Sequence, residues 1–213
     1  MTSGPPSYPH IGRKTEGLDA AYWENRYRRH DTGWDQGGSS PGLVDFLKEQ
    51  RIEGRSVLVP GCGRGHDARA LSRAGCEVVG IDLARSAVRE AARLARSESL
   101  PARFVRGDYF TLSAALAGPY DWIFEHTFFC AVDPDLRDAY VHRAAQYLNS
   151  EGLLLGVFFQ IHSETGPPFG TTRQELIERF SPRFSLRLEG IPRSYPERED
   201  KELLMLWQRR RDV

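Results

Sequence analysis

A glycine-rich loop between two apolar runs is the part of this sequence best suited to hold a ligand. An apolar run at residues 56–59 is followed by Gly61, Gly63 and Gly65. The next apolar run ends at Asp82. Glycines in a turn between a strand and a helix let a ligand lie against bare backbone. Because an acid at the tip of the next strand can accept hydrogen bonds from ribose hydroxyls, the pattern predicts a site for an adenosine-containing cofactor.

The spacing of the glycines indicates which cofactor this is. They fall as G-x-G-x-G, whereas dinucleotide sites use G-x-G-x-x-G, and the Gly-Lys-Ser/Thr of a nucleoside-triphosphate loop is missing. The pattern disfavours a nicotinamide dehydrogenase. It is typical of S-adenosyl-L-methionine-dependent methyltransferases, whose loop holds the amino-acid end of the cofactor rather than a pyrophosphate. A second acid, Asp108, follows a later strand-like run and strengthens this interpretation.

The composition disfavours several other classes of function. Lys plus Arg and Asp plus Glu each number 29, so we expect no nucleic-acid partner, because phosphate binding needs a basic surplus. The 3 cysteines have no C-x-x-C spacing, which predicts neither a disulfide framework nor a metal site and fits a reducing cytosol. No apolar run approaches the ~20 residues of a membrane span. We expect a cytoplasmic monomer that acts on a small-molecule acceptor away from membranes.

The elements that must position the loop alternate along the chain. Predicted strands cover residues 56–59, 77–81, 102–106, 121–124 and 153–159, and predicted helices cover 67–74, 84–95, 134–148 and 172–180. The strands are short and apolar, which predicts burial on both faces. Two last runs, 184–189 and 202–207, predict a terminal hairpin. The predicted fold class is α/β, a doubly wound, mostly parallel seven-stranded sheet with an antiparallel C-terminal hairpin and a binding crevice at the strands' carboxyl ends.

The N-terminal part of the sequence divides in two. Residues 1–17 are rich in Pro, Gly and Ser and predict a flexible segment. Residues 18–50 predict two helices, the first capped by Asp19, joined by a Gly-rich loop that carries Trp34. We expect this segment to form a lid on a single domain that spans residues 18–213.

Four motifs in a fixed order resemble one family. They are WDQG at residues 34–37, VPGCGRGHD at 59–67, FFCAVDP at 128–134 and GPPF at 166–169. The set resembles the thiopurine S-methyltransferase family, most closely its halide and thiol methyltransferase branch, over residues 18–207. This resemblance implies a class I, Rossmann-like methyltransferase fold with S-adenosyl-L-methionine as the methyl donor.

The resemblance also implies roles for individual residues. It implies a set of cofactor contacts: an aromatic lid of Trp23, Tyr27 and Trp34; a methionine-side loop with Gly61 and Gly63; Asp82 and Leu83 on the ribose and adenine side; and Asp108 with Tyr109 beside the adenine ring. The branch usually has Trp at the position of Tyr27. Without the resemblance, Trp23 and Tyr27 would fit ordinary helix packing.

A second set of residues would lie near the acceptor. His126 stands where relatives carry Tyr or Arg beside the reacting methyl group, which makes it the candidate catalytic residue and a further cofactor contact. A histidine there could take a proton from a thiol or orient it. Phe169 lies in a loop matched to the substrate pocket, and Arg198 matches a basic position in a mobile loop. Phe128, after the fourth predicted strand, could face either the substrate or the core.

Three hypotheses of function remain at this level. The leading one is methyl transfer by in-line displacement to a small thiol, or to a halide, with release of S-adenosyl-L-homocysteine; neither a thiolate nor a halide needs a strong base. The second is transfer to oxygen or nitrogen of a metabolite, with His126 as the base. The third is a non-catalytic module that binds S-adenosyl-L-methionine.

Overall fold

The sheet of the protein has the predicted architecture. A computed structural model describes residues 17–163 and 165–211, so the predicted flexible segment lies outside the described residues except for Gly17. Its strands are β1 (Ser56–Pro60), β2 (Glu77–Asp82), β3 (Arg103–Arg106), β4 (Tyr120–His126), β5 (Leu148–Phe159), β6 (Phe184–Gly190) and β7 (Glu202–Arg209). They form one sheet in the order β3-β2-β1-β4-β5-β7-β6.

Pairing in the sheet is parallel from β3 to β5, and β7 runs antiparallel to both β5 and β6. These pairings confirm the mostly parallel sheet with a terminal hairpin. From β1 the chain first builds outward through β2 and β3, and then returns to place β4 on the other side of β1. Such a reversal opens a crevice at the carboxyl ends of the strands, where ligands of this architecture bind.

Helices cover both faces of the sheet. They are α1 (Ala20–Arg28), α2 (Pro41–Glu49), α3 (His66–Arg73), α4 (Arg85–Ser97), α5 (Arg137–Tyr147) and α6 (Arg173–Phe180). Local sequence explains where several begin. Ser40 caps α2 and is followed by Pro41, whose fixed φ suits the first helical position. Gly65, at φ +72°, turns the chain from the glycine loop into α3. Among the described residues, no helix has the length and apolar character needed to cross a membrane.

Two apolar clusters lie on opposite faces of the central strands. Leu58, Ile123 and Leu154 belong to the larger cluster, with the aromatic side chains of α5 and α6. Their neighbours in sequence, including Val57 and Phe124, belong to the second cluster, with α2 and α3. Because consecutive residues of β1, β4 and β5 are buried in both clusters, these strands fit the predicted burial on both faces.

Two predicted features were wrong in detail. Strand β3 is the edge of the sheet, so Arg103 and Arg106 at its ends are exposed and the strand is not buried on both faces. The predicted helix 134–148 is divided into a 3-10 turn, Pro134–Leu136, and α5, and β5 begins directly after α5. A run of apolar residues cannot reveal its place in the sheet, because edge and central strands share similar composition.

Candidate active site

A cavity of about 700 Å³ lies at the carboxyl ends of β1, β2 and β4. It is lined by Gly61 after β1, by Asp82 at the end of β2, and by Thr127 and Phe128 after β4. Residues of α1 and of the loop between α1 and α2, residues 29–40, also line it. We call residues 29–40 the lid loop. The volume lies within the range of small-molecule and cofactor sites.

The glycine loop lets two aromatic side chains pack directly against its backbone. Gly61 has φ +57° and Gly63 has φ +53°, the left-handed region that favours glycine. A Cβ at Gly61 would lie 2.4 Å from the ring of Phe128, and one at Gly63 would lie 2.9 Å from the hydroxyl of Tyr27. Both the backbone conformation and the space therefore require glycine, and the loop presents bare backbone beside the cavity.

Asp82 joins this loop to the cavity. Its Oδ2 accepts a hydrogen bond from the backbone N–H of Gly63 at 2.9 Å, and its Oδ1 accepts one from Ala84 at 2.8 Å. Burial raises the pKa of Asp82 to about 6. With one protein donor on each oxygen, the carboxylate keeps lone pairs for two further donors, such as the two hydroxyls of a ribose.

Three aromatic rings form one side of the cavity. Trp34 makes edge-to-face contacts with Trp23 and Tyr27, at centroid distances of 5.4 Å and 5.7 Å. Its indole N–H donates to the hydroxyl of Tyr27 at 3.4 Å. Helix α1, which carries Trp23 and Tyr27, is attached to α4 because Glu24 accepts hydrogen bonds from the N–H and the hydroxyl of Ser86.

Asp108 and Tyr109 line the same cavity beyond β3. Asp108 caps the 3-10 turn Tyr109–Thr111 by accepting the N–H of Phe110 at 2.9 Å. The hydroxyl of Tyr109 donates to the backbone carbonyl of Tyr140, and their rings stack at 4.9 Å. Because its hydroxyl already donates to Tyr140 in the core, Tyr109 offers the cavity the surface of its ring and no hydrogen-bond donor.

One protein-family model matches the sequence over nearly all the residues that form the sheet and the cavity. The family model for thiopurine S-methyltransferases matches residues 18–202, a range that contains the lid, the glycine loop and Asp82. The chain belongs to the thiopurine S-methyltransferase family. It is therefore an S-adenosyl-L-methionine-dependent methyltransferase.

Members of the thiopurine S-methyltransferase family from distant organisms are similar to this chain. Thiocyanate methyltransferase 1 of Arabidopsis thaliana is 31% identical over 193 residues, which cover 88% of this chain and 84% of the relative. The thiopurine S-methyltransferase of Methylococcus capsulatus is 26% identical over 188 residues, 80% of this chain and 85% of the relative.

A solved structure is also similar. It is the 1,6-didemethyltoxoflavin-N1-methyltransferase of Burkholderia thailandensis, determined with bound 1,6-didemethyltoxoflavin and S-adenosylhomocysteine. The TM-score is 0.76 at 19% identity, and the match covers 98% of this chain and 93% of the other. At this identity the likeness shows the fold alone.

The residues present in this family member fit S-adenosyl-L-methionine. Gly61 lines the cavity with backbone alone, so a ligand there can approach the main chain of the loop. Asp82 offers free acceptor positions for ribose hydroxyls. The rings of Trp23 and Trp34 offer aromatic surface, which attracts a positively charged sulfonium.

Most residues that the sequence analysis placed at the site lie together. The following line the large cavity: Trp23, Tyr27, Trp34, Gly61, Asp82, Leu83, Asp108, Tyr109, Phe128 and Arg198. Three do not line it. Gly63 and His126 line an adjoining cavity of about 60 Å³. Phe169 lines neither cavity, and its neighbours Pro167 and Pro168 line the large one instead.

His126 lies among charged groups rather than facing the large cavity. Its Nδ1 is 2.9 Å from Oδ2 of Asp67, its Nε2 is 3.5 Å from Oε1 of Glu202, and its side chain is 9% exposed. Burial alone would lower the pKa of His126, but the carboxylates of Asp67 and Glu202 raise it to about 9. The two carboxylates therefore favour the protonated ring, although the Nη1 of Arg198 also lies 3.3 Å from Nε2. This geometry does not support the expected role of His126 as a base.

Arg198 is the buried cation of the large cavity. Its Nη2 donates to the backbone carbonyl of Trp34 at 2.8 Å, and its Nη1 lies 3.3 Å from Oε1 of Glu202. The guanidinium also lies 5.3 Å from the ring centre of Phe159. The 3-10 turn Pro196–Arg198 brings this side chain back over the carboxyl ends of the strands.

Sequence analysis missed two residues that shape the cavity floor. Thr127 lines both cavities at φ +61°, an unusual conformation for a β-branched residue. Glu125 is 1% exposed, and its Oε1 accepts the N–H groups of Phe128 and Phe129 at 3.1 Å and 2.9 Å. Burial raises the pKa of Glu125 to about 7. One signal was available: Glu125 is an acid directly after the apolar residues of a predicted strand.

Proposed function

We propose that this enzyme transfers the methyl group of S-adenosyl-L-methionine to a small sulfur nucleophile, or to a halide, and releases S-adenosyl-L-homocysteine. The position of His126 carries the proposal, because both of its ring nitrogens face carboxylates and its side chain does not line the large cavity. Methylation of a phenol or an amine would require a positioned base, and His126 was the candidate for it. Its protonated ring, engaged by Asp67 and Glu202, favours an acceptor that needs no protein base.

The bound cofactor would supply a sulfonium methyl group. The acceptor would bond to the methyl carbon in line with the C–S bond that breaks, so that S-adenosyl-L-homocysteine leaves as a neutral thioether. We propose that Asp82 holds the ribose hydroxyls, that Gly61 and Gly63 pass close to the amino-acid end, and that Trp23 and Trp34 cover the cofactor. Tyr27, Leu83, Asp108 and Tyr109 would complete the cofactor contacts. These residues bind, orient and exclude water, which is the main contribution a protein can make to such a displacement.

The acceptor would lie on the side of the cavity formed by Phe128, Phe159 and Arg198. A thiol reacts as its thiolate, and a halide or thiocyanate is already an anion. A buried guanidinium beside apolar rings suits such soft anions, because it supplies positive charge without a tightly bound water shell. The thiol of Cys130 also lines the cavity, but burial raises its pKa to about 12, so it would not compete as a nucleophile.

The relatives agree with a sulfur acceptor. The Arabidopsis protein is named for thiocyanate and the Methylococcus protein is named as an S-methyltransferase of thiopurines, so both names refer to sulfur-containing acceptors. Transfer to oxygen or nitrogen has weaker support, because it would need His126 in its neutral form. The hypothesis of a non-catalytic cofactor-binding module is not supported, because the chain belongs to a family of enzymes. A monomeric state and a cytoplasmic location stay predictions.

A pH experiment with matched acceptors tests the proposal. Release of S-adenosyl-L-homocysteine would be measured from pH 6 to 10 with an aryl thiol, an alkyl thiol and thiocyanate. We expect the midpoint of kcat/KM to follow the pKa of each thiol, and thiocyanate turnover to vary little up to pH 8. A midpoint shared by both thiols would instead reveal a base on the enzyme. Turnover of a phenol or amine alone would overturn the sulfur acceptor.

A further inference from the structure

Four charged side chains from distant parts of the sequence meet beside the two cavities. They are Asp67 at the start of α3, His126 at the end of β4, Arg198 in the turn Pro196–Arg198 and Glu202 at the start of β7. Oε1 of Glu202 lies 3.3 Å from Nη1 of Arg198 and 3.5 Å from Nε2 of His126, so one carboxylate oxygen faces both cations. Asp67 contacts the other ring nitrogen of His126. We call these four residues the charged cluster.

The charged cluster holds the lid loop at two points. Arg198 donates to the carbonyl of Trp34, and Oδ1 of Asp67 accepts the N–H of Ser40 at 2.7 Å. A neighbour of Arg198 adds a third attachment, because the hydroxyl of Tyr195 donates to the carbonyl of Gly38 at 2.7 Å. Trp34 lies near the middle of this loop and lines the large cavity. The lid loop is also held by α3 and the residues before it: Asp35 pairs with Arg64 at 2.5 Å, and the hydroxyl of Ser39 donates to the carbonyl of His66 at 2.8 Å. The charged cluster therefore supplies two of several attachments, and these two lie on either side of the Asp35 pair.

The cluster is balanced in charge only when His126 is protonated. It then contains two carboxylates and two cations, with side chains that are 15% exposed or less. The buried carboxyl of Glu125 and the hydroxyl of Tyr195 also lie nearby. Asp35 lies beside the same small cavity, but it pairs with Arg64 and contacts His66. Loss of the proton from His126 would leave one buried negative charge without a partner, which is costly.

We propose that Asp67 and Glu202 are positioning residues: with His126 and Arg198 they form a charge-balanced latch that fixes the lid loop over the bound cofactor. Closure of the lid, and hence cofactor affinity, then depends on the charge balance of the cluster. The latch rests in part on the proposed function, because both use the protonated ring of His126 and the guanidinium of Arg198. The two are tested separately: the latch by cofactor affinity, and the sulfur acceptor by turnover.

Charge compensation tests the latch. The dissociation constant of S-adenosyl-L-homocysteine would be measured by calorimetry, and hydrogen exchange would be followed in residues 29–40. His126→Gln leaves a surplus negative charge, and we expect about tenfold weaker binding, within the usual range of coupling between sites, with faster exchange in the lid loop. Adding Glu202→Gln removes the surplus, and we expect most of the affinity and protection to return. His162→Gln, in an exposed position, is the matched control and should change neither.

Two results would overturn the latch. One is a double variant that binds no better than His126→Gln while both remain folded by circular dichroism. The other is wild-type affinity that stays constant from pH 7 to 10, because loss of the His126 proton should weaken binding as the pH rises through about 9. The pH series needs no variant, so a constant affinity would overturn the latch even if His126→Gln fails to fold.

Discussion

The carboxylate of Asp82 accepts a hydrogen bond from the backbone N–H of Gly63 at 2.9 Å, across 19 positions of sequence. The acid at the end of β2 therefore fixes the loop that follows β1. The two parts of the cofactor-binding pattern are thus one hydrogen-bonded unit, and a change in Asp82 should disturb both.

Asp82→Asn should weaken binding of S-adenosyl-L-homocysteine by about 10- to 100-fold, because an amide cannot replace both charged acceptors. Calorimetry measures this directly. In the wild type the affinity should also fall as the pH drops through about 6, where Asp82 takes up a proton, and this fall should vanish in the variant. Asp121→Asn is the control: Asp121 also accepts from a backbone N–H, that of Ser56, but at the amino end of its strand. It should lower stability without changing affinity.

Gly61→Ala should abolish tight cofactor binding. The new Cβ would force the ring of Phe128 to move, in addition to a backbone cost of about 1–2 kcal/mol for a left-handed residue. Gly54→Ala separates the two effects, since Gly54 has φ +72° with nothing within 4 Å of its Cβ position. We expect the control to lose stability alone. Equal cofactor affinities for the two variants would contradict this prediction, because they would show that the ring of Phe128 can move without disturbing the cofactor site.

Glu24→Gln should raise the cofactor KM about threefold. The first turn of α4 has no side-chain cap of its own, and Glu24 of α1 accepts the N–H of Ser86 in its place. Weakening this contact costs on the order of 0.5–1 kcal/mol and loosens α1, which carries Trp23. Initial rates at varied cofactor concentration give the KM. Glu90→Gln, on α4 itself, removes an ion pair with Arg93 and should leave the KM unchanged.

Glu125→Gln should remove a pH dependence of stability. Burial raises the pKa of Glu125 from 4.5 to about 7, so between these values the folded protein binds a proton that the unfolded chain releases. Glu125 therefore contributes to the free energy of unfolding below pH 4.5, and this contribution is lost as the pH rises through 7. The loss amounts to at most about 3 kcal/mol. The variant should gain stability relative to the wild type over this range in urea unfolding. Glu178→Gln, in an exposed position of α6, should show a constant difference.

Local patterns predicted the backbone of the glycine loop and the place of Asp82 in the sheet. The glycines at positions 61 and 63 have the left-handed backbone that their residue type allows, and Asp82 ends a buried strand as its place after an apolar run indicated. The positions within the acceptor region were less predictable. In the GPPF motif, Pro167 and Pro168 line the cavity and Phe169 does not. A motif identifies a loop, but the direction of each side chain depends on tertiary contacts. One such contact is the hydrogen bond from the N–H of Phe169 to the backbone carbonyl of Cys130.

The sequence by itself determined the alternating strands and helices, the glycine loop with Asp82, and the family. Each of these depends on residue type and spacing over a short stretch, because backbone freedom and apolar periodicity are local properties. Only the tertiary structure decided which charged groups surround His126 and which protonation state they favour. Its partners Asp67 and Arg198 lie 59 and 72 positions away, and they reach it because α3 starts beside β4 and the chain before β7 folds back over the strand ends. The charge that each group carries follows from burial and from these partners, and no sequence spacing encodes either.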